Sequence, residues 1–407
     1  MEPTRFDSLA RSLGAADLTP SRRGLMAGLA GGVAALTGLS LLESEARKKG
    51  KKKKKGGNDC KSKCKKKKGK KKKKCLKGCD NGGGGGGGPT PYTGPVFTVS
   101  GRNILDTDGD PVQLRGVNKM SVFDDDDPRG NSYFPQIAMS KSNTVRIVWA
   151  INDDNGPTSV SDLDALITNC RNNKMLPMIE LHDATGNLGK VPELVDYWVR
   201  NDVREVIFKH SANLLVNIAN EAGDDQVTTQ QWVNTYTTAV QRMRAAGIRV
   251  PLVIDAPDFG KNLERVVAGA NQLLAVDSNL IFSVHPYWPK NDGGGASFIE
   301  NQFTAAFNKG FALIIGEFSQ WGAFNGNNSI CAAPGGECDY NAIMTKASQK
   351  GFGWYAWEWG PGNGLGGDPT CAVMDMTTAG TWATRRTSGW AKDVFERIAA
   401  ESQPIFG

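Results

Sequence analysis

Several short apolar runs in this 407-residue chain end in residues that could do chemistry. One closes on Val216-Asn-Ile-Ala-Asn220-Glu221 and another on Ile314-Ile-Gly-Glu317-Phe318. Others end in Glu180-Leu-His182-Asp183, in His285-Pro-Tyr287-Trp288 and in Trp357-Glu358-Trp359, while Arg146 and Trp149 close a further one. The chain has only 3 histidines, and two of them stand at such ends. Glu221 and Glu317, placed across one cleft, form the pair that retaining glycoside hydrolysis needs. One carboxyl must be protonated to donate to a leaving oxygen, and the other ionised to attack the anomeric carbon, with the groups about 5–5.5 Å apart. A single glutamate at a strand end is more often tied to backbone or to a neighbouring arginine; the argument rests on the whole constellation. Trp149, Trp288, Trp321, Trp357 and Trp359 fall in the same places, and flat indoles that stack on pyranose faces would line polysaccharide subsites.

The elements that must position these groups follow from hydrophobic patterning. β-rich runs occur at 112–117, 144–149, 176–182, 214–219, 250–256, 280–285, 312–318 and 353–358. Helical periodicity separates them, for example over 160–172, 191–210, 229–246, 262–275 and 341–349, with a last helix at about 388–401. Eight alternations of strand and helix predict an α/β fold, a (β/α)8 TIM barrel over residues 95–407. A doubly wound open sheet competes, but its early Gly-x-Gly-x-x-Gly turn is missing. In a barrel the chemistry belongs at the C-terminal ends of the strands, which is where these residues stand. Residues 97–105 and the Asp106-Thr-Asp-Gly-Asp110 segment predict a strand and a turn that cover the barrel's bottom.

The strand-end motifs around Glu221, His285 and Glu317, in that order, resemble glycoside hydrolase family 5 over residues 96–395. Pro177-Met-Ile-Glu-Leu-His182-Asp-Ala-Thr-Gly186 and Val253-Ile-Asp-Ala256 resemble most its bacterial endo-β-1,4-mannanases. The resemblance implies Glu221 as general acid/base and Glu317 as nucleophile. It implies Asn220 on the sugar 2-hydroxyl, Arg146 and Tyr287 hydrogen-bonded to Glu317, and His182 and His285 lining subsite −1. Trp357, or Trp359 two residues on, would be the sugar platform, and Trp288 a further contact. No metal or organic cofactor is required. The sequence departs from those mannanases at Ala222-Gly223, where a Trp is usual after the acid/base, and in an insertion-like loop after Glu317. The implied partner is a β-linked polysaccharide: mannan, glucomannan or cellulose. A cellulase or other β-glucanase is the same-class alternative, and a non-catalytic surface carbohydrate-binding protein the different-class one.

The rest of the chain is appendage. Between residues 47 and 80 lie 20 of the 49 basic residues and 2 of the 42 acidic ones, a local charge of +18 that leaves −11 elsewhere. The overall +7 is therefore no sign of a nucleic-acid-binding fold. Ser21-Arg22-Arg23-Gly24 opens an uncharged stretch up to Leu42, and residues 1–46 resemble a twin-arginine export signal with cleavage after Ala46. The basic residues that follow would resist translocation if the signal stayed uncleaved. Residues 47–80 form a Lys/Cys-rich low-complexity tract, either a solvated tether or an adhesive for anionic cell-envelope polymers. Residues 81–94 are a Gly/Pro linker. These features predict a secreted or cell-surface protein.

The cysteines fall in two sets of four. Cys60, Cys64, Cys75 and Cys79 lie in the lysine tract at a spacing unlike zinc sites, while Cys170, Cys331, Cys338 and Cys371 lie downstream. A Cys331–Cys338 bridge would staple the loop after Glu317, and pairing of either with Cys371 is equally permissible; Cys170 reads as a buried thiol. Asp106, Asp108 and Asp110 read as a turn, because Val117 stands where a calcium loop needs Glu. The acidic run 124–127 caps or binds a cation.

Overall fold

A computed structural model describes residues 88–153, 156–322, 335–363 and 369–406. The export signal, the lysine tract, residues 81–87 of the linker and Cys331 lie outside the described residues. Eight parallel strands close a barrel in sequence order. They are β1 (Arg115–Lys119), β2 (Thr144–Trp149), β3 (Leu176–Leu181), β4 (Leu215–Asn217), β5 (Leu252–Asp255), β6 (Leu280–Val284), β7 (Leu313–Ile315) and β8 (Gly353–Ala356). The longest pairing runs from Thr144 opposite Leu176 to Trp149 opposite Leu181, and β8 returns to β1 with Trp354 opposite Arg115. Every strand residue is buried, as expected for a parallel sheet covered on both faces. The predicted TIM barrel is the fold found.

The helices are α1 (Tyr133–Ala138), α2 (Val160–Asn172), α3 (Val191–Trp198), α4 (Asn201–His210), α5 (Thr229–Ala245), α6 (Leu263–Leu274), α7 (Ala296–Lys309), α8 (Tyr340–Gln349) and α9 (Gly389–Glu401). Local chemistry starts several of them. Ser159 caps α2 by accepting from Asp162 N–H, Asn262 caps α6 through Arg265 N–H, and Thr228 with Gln231 closes a capping box on α5. The sequence pattern predicts one helix over 191–210, yet two form. No glycine or proline marks the break at Val199-Arg200. Asp202 lies in the first turn of the second helix, accepting from Val203 N–H and pairing with Arg200.

Two cores result. The larger lies between barrel and helices, and the smaller fills the barrel's N-terminal end with Leu114, Leu176, Met178, Leu215, Val253, Ile281 and Tyr355. Phe97 and Ile104 close that lower core. Ile104 lies in a hairpin, Thr98–Ser100 with Asn103–Leu105, and Phe97 just ahead of it, where the sequence predicts a single strand. Asp106 is a turn residue, its carboxylate accepting from Asp108 and Asp110 N–H. Among the acidic run, Asp124 pairs with Lys119 at 2.9 Å, and Asp127 accepts from Asn131 and Ser132 ahead of α1. Cys170 is a buried free thiol on α2.

Candidate active site

Glu317 stands two residues past β7 and is nearly buried. Its Oε1 accepts from Arg146 Nη1 at 2.8 Å, and its Oε2 accepts from the Tyr287 hydroxyl at 3.0 Å. Arg146, on β2, is wholly buried, and it fans out to Asn118, Asn217 and Asn220 at 2.7–3.2 Å. Burial disfavours its charge, but Glu180, Glu317, Asp255 and Glu221 outweigh that and raise its affinity for the proton. Burial, then Glu317 and Glu221, hold the Tyr287 phenol well above its ordinary range, so it stays an O–H donor. Glu317 thus has a permanent cation on one oxygen and a fixed neutral donor on the other.

Glu221 follows β4 in a left-handed conformation, φ 46°. The turn is held by Glu221 N–H donating to Asp255 Oδ2 at 3.0 Å and by Glu221 C=O accepting from Gly186 N–H at 2.9 Å. Its carboxylate meets His285 Nδ1 at 2.8 Å. His285 is wholly buried in a slot that two glycines create. A Cβ on Gly316 would come within 2.6 Å of His285 Nε2, and one on Gly260 within 2.7 Å of its Cγ. Burial opposes charge on this imidazole, yet Glu317, Asp255 and Glu221 together raise it above its ordinary value. One oxygen each of Glu221 and Glu317, with a ring nitrogen of His285, lie within 4.8 Å of one another.

The Asn220 side chain is fixed beside this pair, accepting from Arg146 Nη2 at 2.7 Å and donating to Thr185 at 2.9 Å. The unusual Ala222-Gly223 pair after Glu221 makes no cleft wall of its own. Ala222 bridges Thr185, and Gly223 C=O accepts from Phe259 N–H at 2.9 Å, so the loops after β3, β4 and β5 are joined there.

The tryptophans divide. Trp357 keeps a small exposed face and donates Nε1–H to Asn363 Oδ1 at 2.8 Å, with its ring nearly parallel to His182. Trp288 lines a cleft of about 380 Å³ with Tyr287, Asp258, Lys261 and Phe298. Trp359, by contrast, is fully buried against Phe395 and donates to Gly380 C=O. It offers no face to a sugar, which corrects its place among the expected contacts. Trp149 is a core residue too, bonded to the Tyr197 hydroxyl. Cys338 is a buried free thiol, so neither a Cys331–Cys338 staple nor a Cys338–Cys371 bridge forms.

Glu221, Glu317, Arg146, Asn220, His285 and Tyr287 thus come together in one network, with His182 and Trp357 beside it and Trp288 on its flank. Sequence reasoning gave no role to four supporting groups: Glu180, Asn217 and Asp255, which lie inside the quoted motifs, and Asn118, which lies in none. Each lies on a different barrel strand, β1, β3, β4 and β5, and each faces Arg146. Glu180 lies two residues before His182, hence on the same face as the strand leaves the barrel, a signal that could have found it.

The profile of the cellulase family, glycosyl hydrolase family 5, matches residues 105–363, and the chain belongs to that family. It is 27% identical over 308 residues to a mannan endo-1,4-beta-mannosidase of Salipaludibacillus agaradhaerens, covering 73% of this chain and 90% of that protein. It is 28% identical to one of Streptomyces lividans, covering 70% and 72%. Among solved structures it resembles a β-mannanase of Streptomyces thermolilacinus crystallised with mannohexaose, at TM-score 0.65 and 25% identity over 76% of this chain and 97% of the other.

Proposed function

We propose that this glycoside hydrolase is an endo-β-1,4-mannanase that cleaves mannan or glucomannan with retention, using Glu221 and Glu317. The observation that supports the mechanism is that one carboxylate oxygen of Glu221 and one of Glu317 lie within 4.8 Å of each other. Glu317 attacks the anomeric carbon while Glu221 gives its proton to the departing glycosidic oxygen, leaving a glycosyl ester on Glu317. Water, deprotonated by Glu221, then attacks the same carbon; the C–O bond to Glu317 breaks, and Glu221 regains its proton. Arg146 and Tyr287 hold the nucleophile's two oxygens, and His285 orients Glu221. Asn220 would bind the 2-hydroxyl, a contact that strengthens as the sugar flattens. The mannan preference is supported by the named activity of relatives that align over most of both chains.

The deciding experiment is reducing-sugar release by the full chain from linear mannan, glucomannan, carboxymethylcellulose and barley β-glucan, with Glu317→Ala as blank. Release from pure mannan that vanishes in the blank is the expected result. Release only from the glucans would keep the mechanism and make the enzyme a cellulase. Silence on all four, with oligosaccharide binding retained, would make it a carbohydrate-binding protein.

Export is part of the same proposal. The Arg22-Arg23 pair before a weakly apolar segment supports the twin-arginine route, and the lysine tract would hold the enzyme near anionic envelope polymer. Replacing both arginines by lysine should keep the protein out of the medium. With Cys338 free, Cys331–Cys371 is the pairing we propose for the loop after Glu317.

A further inference from the structure

His182 has its partner near the end of the barrel strand that precedes it, β3. Its Nδ1 is 2.9 Å from Glu180 Oε1. Glu180 is wholly buried, its Oε2 has no hydrogen-bond partner among the described residues, and Arg146 Nη1 stands 3.8 Å from Oε1. No water-exposed surface dilutes this carboxylate, so the His182 ring and the Arg146 guanidinium are what face its charge. The His182 ring is fixed from the sides as well. It lies at 17° to Trp357 with centroids 6.3 Å apart, and edge-on to Phe123 at 6.5 Å. The charged groups around it are Glu180 and Glu317, which favour its cation, Arg146, which opposes it, and the neighbouring Asp183. Burial disfavours the cation, but Glu180, by charge and by hydrogen bond, and Glu317 outweigh it and push the imidazole up to about 9.

We propose that Glu180 is a positioning residue that keeps His182 doubly protonated, so that Nδ1–H stays on Glu180 and Nε2–H donates to the sugar in subsite −1. Nε2 has no protein partner among the described residues. A neutral imidazole with its proton on Nδ1 would present a lone pair at Nε2 and could accept but not donate. Glu180 thereby sets the direction of a hydrogen bond without touching substrate. The sugar half of this inference rests on the glycanase reading above; the proton half does not.

The test uses the full chain, whose 3 histidines give a sparse set of imidazole nitrogen signals in two-dimensional ¹H–¹⁵N NMR. The His182 signal, assigned by its loss in His182→Gln, should remain that of an imidazolium through neutral pH and titrate near 9. In Glu180→Gln it should titrate at or below the ordinary value of about 6.5. The ratio of variant to wild-type kcat/KM on a β-manno-oligosaccharide should fall about 30-fold between pH 5.5 and 8, the change in protonated fraction of an ordinary histidine. His182→Gln, a donor at every pH, should show a deficit that does not steepen with pH. A wild-type His182 that titrates near 6.5 overturns the proposal even if Glu180→Gln fails to fold. A flat kinetic ratio overturns it as well. Shifted titration in a protein that hydrolyses no glycan would overturn the glycanase reading alone.

Discussion

Glu317 and Glu358 occupy equivalent places on adjacent strands and have opposite surroundings. Each stands two residues beyond its strand, β7 or β8, and both are buried. Glu317 meets a guanidinium and a phenol. Glu358 meets only neutral donors, Met120 N–H at 3.1 Å and Asn363 Nδ2 at 3.3 Å. The nearby ammonium of Lys119 is already paired with Asp124 and lies over the Tyr133 ring. Asp375 shares Asn363 with Glu358 and adds like charge. Burial first, then Asp375 and Glu317, push Glu358 up to about 8 against the pull of Lys119 and the Met120 N–H. A carboxyl that stays neutral at pH 7 cannot serve as the nucleophile. It serves instead in the support of Trp357, whose indole N–H is held by the same Asn363. Position in a barrel places a carboxylate at the mouth, and the partner facing it decides its chemistry.

The largest effect that would sharpen this contrast is at Glu317. Glu317→Ala should cost at least about 10⁴-fold in kcat, the scale for losing a nucleophile. Loss of comparable size in Glu358→Gln, with the far-ultraviolet circular dichroism unchanged, would break the comparison. Next comes Arg146→Lys, which keeps the charge but not the fork that reaches Asn118, Asn217, Asn220 and Glu317 together; kcat should fall on the order of 10²–10³-fold. Tyr287→Phe removes one neutral donor from Glu317 and should cost roughly 10–10²-fold in kcat with a smaller change in KM. A rise in KM alone would show that Tyr287 binds the ground state and not the developing charge.

The sequence carried the barrel because its strands are short, buried on both faces and separated by strongly periodic helices such as Val160–Asn172, whose predicted limits coincide with the observed ones. The residues at the strand ends were legible for the same reason: the barrel assigns a strand's end to the mouth. Three things were not. The break at Val199-Arg200 has no glycine or proline to announce it, and an apolar periodicity that continues through a turn hides it. Trp359 and Trp357 share a tripeptide, and only packing against Phe395 tells which indole is core. Asn118, Asn217 and Asp255 lie inside strands, where polar side chains are legible only as exceptions to burial until a buried Arg146 shows what they balance.

The smallest expected effect is thermodynamic, and it tests the Glu358 half of the contrast. Below pH of about 4.5 this carboxyl is protonated whether the chain is folded or unfolded, so its shift contributes nothing. Between about 4.5 and about 8 the unfolded chain releases the proton and the folded one keeps it, so stability falls as pH rises. Above about 8 both forms are ionised, and the penalty stays constant. Glu358→Gln removes that titration. The amide cannot accept at both Met120 and Asn363, so the variant starts from a deficit in acid, where the wild type should melt higher. From pH 5 to 8 the gap should move in the variant's favour by roughly 5–10 °C and then level off, read by scanning calorimetry. A gap that does not change with pH would mean that Glu358 is ionised throughout, and that its lack of a cation does not set it apart from Glu317.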